Sequence, residues 1–276
     1  YPLREEFAKV SALMGSGQVP PCLGTYLSLG ALTPLNKIPE EENDERRNNG
    51  EDPKLRPVNS GALLGKVGLR GLYQSESSIR EKNMLQPLNL GLGAPMGCER
   101  IVHRQATIYS QGGAVATEDV CNGFNAMKRQ KMHEAIDARW PEAGAAMRLY
   151  YKSYCLVLYC YTRPDTGDFI AHIIISEEGA RMGCVLGSMA FDLTIAPVYE
   201  TLDKEFPEFD SVAHTDDNPV GIPRPQDGDW NARLLRYHQR QCRYDQLQLA
   251  NPLGAYRNMT KSKLLLPPDC PRDLDA

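Results

Sequence analysis

Two runs of apolar, β-branched and aromatic residues, YCLVLYCY at 154–161 and FIAHIIIS at 169–176, flank TRPDTGD. Such side chains fit a pleated surface, and the Pro-Asp-Thr-Gly stretch reverses a chain, so the segment predicts a β-hairpin. The period changes on either side of it. In NGFNAMKRQKMHEAI, Phe124, Met127, Met132, Ala135 and Ile136 recur at roughly helical spacing. After SEEGARMG, Leu186, Met189, Ala190 and Leu193 share one helical face, and Pro197 is expected to kink that helix or to start a second one. Residues 54–72, KLRPVNSGALLGKVGLRGL, combine apolar periodicity with interleaved basic groups. The glycine-rich GLGAPMGC at 91–98 reads as a turn or a close backbone approach. Residues 40–53, EEENDERRNNGEDP, are dense in charge and poor in apolar residues and read as a flexible loop. Strands and helices mix without strict βαβ alternation and without an internal repeat, which favours an α+β fold.

The composition does not alter this reading. With 276 residues, 42% of them hydrophobic, the chain can bury one large core or two subdomains. Its formal net charge of −4 provides no global attraction for nucleic acid. Residues 232–263 depart from that average. There Arg233, Arg236, Arg240, Arg243, Arg257, Lys261 and Lys263 face a single acid, Asp245. The first four follow spacings of 3, 4 and 3, which puts them on one helix face, either solvated or contacting phosphate backbone. The eight cysteines form no CxxC pair and no zinc-like spacing, so they read as reduced thiols of a nuclear or cytoplasmic protein. No apolar run reaches membrane length.

SVAHTDDNPVG at 211–221 places Asp216 and Asp217 side by side at the end of a short apolar segment. Adjacent carboxylates are unfavourable unless a cation offsets them, and a hard divalent metal with oxygen ligands does so. Asn218 and Pro219 suit a turn, so an acidic surface turn is the plain alternative. Metal-assisted phosphate chemistry needs a further carboxylate. Asp119, which ends an extended stretch before a helical one, is the best candidate, and strand alternation aims Glu118 the other way. Asp119 could instead cap the helix, a role for which Asn122 competes.

Six segments in order over residues 30–266 resemble the reverse transcriptase domain of retroelements, most of all of non-LTR (LINE-type) retrotransposons. LTPLNKIP followed by KLRPV is similar to the lysine and Arg-Pro of the fingers, and GAPMGCERIVH to the segment preceding the first catalytic motif. TEDVCNGFNAMKRQKM resembles the Asp-x4-aromatic motif, and SEEGARMGCVLG the Gly-x-x-Gln-Gly-x-x-Leu segment. AHTDDNPVG resembles the aromatic-x-Asp-Asp motif, and NMTKSKLLL the Asn-x-x-Lys-Ser/Thr motif. The chain departs from the family at Gly123, at Met182 where glutamine is usual, at His214 where an aromatic is usual, and at the proline after the acidic pair.

The resemblance implies an RNA-directed DNA polymerase core with a right-hand fingers–palm architecture, the palm an antiparallel sheet backed by helices. The fingers are expected at about 1–95 and 127–180, the palm at about 96–126 and 181–276. No thumb is recognised after 266 and no endonuclease before residue 1, so a longer polypeptide is expected. The implied metal ligands and catalytic groups are Asp119, Asp216 and Asp217, which would hold two Mg²⁺ ions (or Mn²⁺) for in-line displacement at phosphorus. Lys261 would act near the leaving pyrophosphate. Lys37, Arg56, Phe124, Gly179, Arg181 and Gly183 would meet the deoxynucleoside triphosphate, with Phe124 excluding a 2′-hydroxyl by overlap. The implied partners are an RNA template, a DNA primer and dNTPs, with no membrane. Two other readings remain at this point. One is a decayed or domesticated nucleic-acid-binding module, which Met182 favours. The other is a metal-dependent nuclease, which leaves the Arg-Pro and Asn-x-x-Lys segments without a role.

Overall fold

The hairpin expected at 154–176 is present in the computed structural model, which describes residues 2–271 except 153 and 164. In chain order the elements are α1 (Pro2–Gly15), α2 (Pro21–Leu27), β1 (Gly30–Asn36), α3 (Glu40–Asn48), β2 (Leu55–Gly61), α4 (Leu63–Tyr73), α5 (Glu76–Leu85) and α6 (Gly97–Ser110). They continue with β3 (Ala114–Asp119), α7 (Gly123–Ala126), α8 (Arg129–Arg139), α9 (Pro141–Tyr150), β4 (Cys155–Thr162) and β5 (Phe169–Ser176). The last are α10 (Gly187–Glu205), β6 (Asp210–Ser211), β7 (Asp217–Ile222), α11 (Trp230–Ala250) and β8 (Lys263–Leu265).

The strands form two four-stranded sheets, ordered β2-β1-β4-β5 and β6-β7-β3-β8. In the first, β1 runs antiparallel to β2 but parallel to β4, and β4–β5 is the hairpin, with Cys155 opposite Ser176 and Thr162 opposite Phe169. The second is antiparallel throughout. The fold is therefore mixed α+β, as the residue pattern implied.

Helix α10 is the hub of the core. Its residues from Met189 to Ala196 are all buried, so it is enclosed on every side instead of presenting one apolar stripe. It runs through Pro197 without restarting, and Trp140, Met132, Met147 and Phe191 join it in one apolar cluster. Trp140 keeps its indole N–H satisfied by donating to the Ser77 hydroxyl at 2.9 Å.

One expectation is corrected here. Residues 40–48 form the helix α3 and not a loop. The charge density that suggested disorder is arranged to suit a helix: Glu40, Glu41 and Glu42 in the first turn, Arg46 and Arg47 in the last, matching the helix dipole. Arg47 pairs with Glu40 at 2.9 Å and with Asp44. Buried Asn43 accepts from the Lys54 backbone N–H at 2.8 Å, fastening the helix to the start of β2.

All eight cysteines are free. Among the described residues no helix is long and apolar enough to cross a membrane.

Candidate active site at the end of the β3–β7 pair

Strand β3 ends on Asp119 because the antiparallel register with β7 ends there, Asp119 standing opposite Asp217. Residues directly opposite in such a pair share a face, with Cα atoms roughly 4.5–5.5 Å apart. Asp216 lies one residue back, in the turn joining β6 to β7. His214 and Asp217 close that turn, the His214 N–H donating to the Asp217 carbonyl at 2.7 Å and the return bond measuring 3.2 Å. Thr215, inside the turn, has φ of 60°. A β-branched residue in the left-handed region is strained, at a cost on the order of 1–3 kcal/mol, and such residues gather at functional sites. Asn122, just past Asp119, is left-handed as well, with φ of 50°. It occupies the N-cap position of α7, which removes the capping alternative for Asp119.

Two further groups converge on the same carboxylate. The Asn258 amide donates to the Asp119 Oδ2 at 2.8 Å, and its backbone N–H donates to the Asp119 carbonyl at 2.7 Å. The Lys261 Nζ lies 3.3 Å from that Oδ2 on a largely exposed side chain. Asp216 feels the cluster too. Partial burial raises its pKa above the ordinary 3.8, and the charges of Asp217 and Asp119 raise it further. The donor set is three hard oxygen ligands with excess negative charge, which is the chemistry a divalent cation offsets. Among the described residues, however, no three acidic, histidine or cysteine side chains are drawn together closely enough to hold a metal ion as they stand.

Glu118 does point the other way, into a buried network. It sits opposite Asn218 in the register and accepts from the Asn218 amide at 3.2 Å. It also accepts from Tyr237 Oη at 2.8 Å and from Arg240 Nη1 at 3.0 and 3.1 Å. Arg240 reaches the Ser211 hydroxyl at 2.9 Å as well, so one guanidinium ties α11 to both β3 and β6. The basic stripe on α11 is thus engaged by the protein's own groups, with only Arg240 fully buried, against the reading that all four arginines face phosphate. Arg240 is 1% exposed, Arg236 donates to Glu208 at 2.7 Å, Arg243 pairs with Glu205 at 2.8 Å, and Arg233 lies over the Phe209 ring.

The remaining sequence candidates divide into two groups. Phe124 on α7 is half-buried, its ring stacked on Phe191 with centroids 5.1 Å apart. The next two candidates, Gly179 and Gly183, approach neighbouring backbone. The Gly179 N–H donates to the Met127 carbonyl at 2.8 Å, and a Cβ on Gly179 would come within 2.4 Å of the Asn125 carbonyl oxygen. Gly183 makes a similar approach to β2, a Cβ there meeting the Asn59 carbonyl oxygen at 2.7 Å. Both glycines have positive φ, at 78° and 94°, so their close approaches are to protein backbone. Arg181 is buried. It donates to the Ser28 and Tyr150 carbonyls and lies over the Tyr151 ring, an arrangement that holds the 179–183 loop instead of presenting a cation to solvent. Lys37 and Arg56 are exposed at the other end of the β1–β2 pair, and among the described residues neither forms an ion pair with the acidic cluster.

Sequence reasoning gave no role to Asn258 or Arg129 and did not foresee the pairing of Glu118 with Arg240. Asn258 had a signal, being the asparagine of Asn-x-x-Lys. Buried Arg129 donates to the Ser176, Glu178 and Gly179 carbonyls, anchoring the same glycine loop from the other side. No spacing in the sequence marks it.

Among solved structures, telomerase from Candida tropicalis truncated from its C-terminal domain is similar at a TM-score of 0.54 and 11% identity, over 87% of this chain and 50% of that one. The fold is reverse-transcriptase-like. Telomerase from Candida albicans, solved with the TWJ fragment of telomeric RNA, gives the same TM-score and identity over 90% of this chain and 44% of that one. A Candida tropicalis telomerase with the TWJ fragment matches at 0.54 and 10% identity. The chain spans half or less of the length of these structures. No protein-family model and no curated protein matches it.

Proposed function

We propose that this chain is the core of an RNA-directed DNA polymerase of the LINE type, in which β6-β7-β3-β8 is the palm and β2-β1-β4-β5 belongs to the fingers. The observation that carries the proposal is the register opposing Asp119 to Asp217, with Asp216 in the adjoining turn and Lys261 on the same carboxylate. Residues far apart in sequence thereby meet at one end of the two central strands, and their order matches that of a nucleotidyl-transfer site.

In this reading Asp119, Asp216 and Asp217 would hold two Mg²⁺ ions. Such a pair of ions stabilises the entering and leaving oxygens of an in-line displacement. The chain's own residues do the rest. Asn258 holds the Asp119 carboxylate in place. Lys261 moves its ammonium from Asp119 toward the leaving pyrophosphate, where it serves as a fixed charge or a proton donor. Phe124, backed by Phe191, limits the space beside the sugar. Lys37 and Arg56 meet the triphosphate from the fingers, Arg56 bidentately. Gly179, Arg181 and Gly183 act through the shape of the loop they build. The substrates are dNTPs, and the nucleic-acid partners are an RNA template and a DNA primer.

Primer extension on a homopolymer RNA template with Mg²⁺ tests the proposal. Wild-type protein extends the primer. Asp216→Asn removes a metal contact worth several kcal/mol, so extension falls by about 10³-fold or more while the thermal midpoint holds. A second reading, a catalytically silent reverse-transcriptase-like module that binds nucleic acid, draws on Met182 and on the Asp119 Oδ2 being engaged by Asn258 and Lys261. Nucleic-acid binding without Asp216-dependent extension decides for it.

A further inference from the structure

Behind the Asp216 turn lies a second, enclosed polar cluster. Asp192, in the middle of α10, is 0% exposed, Asn89 3% and Tyr199 5%. Among the described residues, neither carboxyl oxygen of Asp192 has a protein hydrogen-bond partner, nor does the Asn89 Nδ2 or the Tyr199 hydroxyl. These three side chains line one cavity, bounded by Leu85, Leu88, Ala196 and Glu200. Leaving a buried polar atom unmatched costs about 1–3 kcal/mol, so four around one space favour a shared bound molecule.

Size and chemistry identify that molecule. The cavity offers about 10 Å³ to the centre of a water-sized sphere, and a single water needs roughly 10–15 Å³ by that measure. The Asn89 Oδ1 accepts from the Gly91 backbone N–H at 2.8 Å, which fixes the amide and leaves its NH₂ as the unmatched end. An NH₂ donor disfavours a cation and matches the lone pair of a water oxygen. Asp192 and Tyr199 can each take either hydrogen-bonding role. Burial pushes the Asp192 carboxyl well above its ordinary value; nearby Asn89 opposes the shift, and the charge of Asp216 adds to it. The Asn89 amide lies beside the carboxyl without a hydrogen bond of ordinary geometry to it, and a shared water supplies a partner to both.

The cluster is also joined to the turn. Asn89 forms a β-bridge with Ala213, the Ala213 N–H donates to the Leu88 carbonyl at 2.7 Å, and the Leu90 N–H donates to the Ala213 carbonyl at 2.9 Å. A Cβ on Gly91 would come within 2.7 Å of the Thr215 Oγ1, so the 88–91 segment is wedged against the strained turn. We infer that Asp192, Asn89 and Tyr199 form an internal water-binding site whose water ties α10 to the segment seating the Asp216 turn, making Asp192 a positioning residue for Asp216. The water site stands on the geometry alone; the positioning role rests on the metal reading proposed above.

Two measurements separate these parts. A high-resolution crystal structure is expected to show one water within about 2.6–3.2 Å of Asp192, Asn89 and Tyr199. Empty density, or a peak with the short contacts of a metal ion, overturns the site whatever the protein's activity. Mn²⁺ binding followed by electron paramagnetic resonance tests the positioning role without turnover. Asp192→Leu is expected to lose the water and weaken Mn²⁺ binding roughly 10- to 100-fold, the usual cost of losing an outer-shell partner. Asp192→Asn keeps a polar partner for the water and restores binding. If Asp192→Leu does not fold, Tyr199→Phe, which removes a single hydroxyl, carries the test with a smaller loss in the same direction. Unchanged Mn²⁺ affinity in a folded variant that has lost the water overturns the positioning role. A wild-type protein that binds no Mn²⁺ overturns the metal reading and the positioning role with it, while the water in the density still stands.

Discussion

The two sheets have the same number of strands and opposite relations to solvent. On the β3–β7 sheet one face, carrying Ala114, Ala116, Glu118, Val220 and Ile222, is buried against the core. The β5 edge of the other sheet leaves Phe169 71%, Ile173 66% and Ile175 61% exposed. The candidate chemistry is built on the β6-β7-β3-β8 sheet, where buried side chains hold the backbone to one register. The cations proposed for the triphosphate, Lys37 just past β1 and Arg56 in β2, belong to the other sheet, which fewer packed groups restrain. A reaction centre needs fixed geometry, whereas a surface that receives a substrate can tolerate movement.

This contrast is breakable first at the buried ion pair. Arg240→Met leaves Glu118 buried and charged without its counter-ion, keeping only the Asn218 and Tyr237 hydrogen bonds, so urea unfolding should show a loss of about 3–5 kcal/mol. Adding Glu118→Met should recover most of it. A single-variant loss below about 1 kcal/mol would mean that the pair does not hold β3 in place.

Arg56→Ala on the exposed hairpin should behave differently. The expected change is a rise of about tenfold in KM for dNTP, or ~1.4 kcal/mol, with an unchanged unfolding midpoint. A fall in stability without a change in KM would make Arg56 part of the scaffold instead.

The pH dependence of cation binding sharpens the same picture. Asp216, with its raised pKa, keeps its proton to a higher pH than a free aspartate. A cation binds the ionised form, so Mn²⁺ binding should weaken as pH falls through that raised value and not through 3.8. Asp217→Asn removes one of the charges that raise it and should move the acidic limb downward. Burial, the largest cause, should keep the limb above 3.8.

The smallest effect is expected at the open edge. Ile173→Thr should change stability by less than about 0.5 kcal/mol and reduce self-association in sedimentation, because exposed apolar edges template pairing between chains.

Much of the local structure was legible in the residues. β-Branched and aromatic runs with turn chemistry at 154–176 led to the β4–β5 hairpin, and helical spacing led to α8 and α10. Strand alternation correctly turned Glu118 away from Asp119. The charge-rich stretch at 40–48 misled because a count of charges ignores their order, and it is the order that suits a helix. The arginine stripe of α11 was legible as a face but not as to what it meets. Arg240 is matched by Glu118, a residue 122 positions away. No local pattern carries that information.

The division follows from the range of the forces involved. Hydrophobic period, turn residues and the order of acidic segments act over a few positions, so the sequence alone determined the kinds of element and named Asp119, Asp216 and Asp217. Which carboxylate faces which, how Lys261 and Asn258 reach Asp119, and why Arg181 and Arg240 lie inside were decided only by tertiary structure. Burial and pairing depend on what the rest of the chain brings to each face.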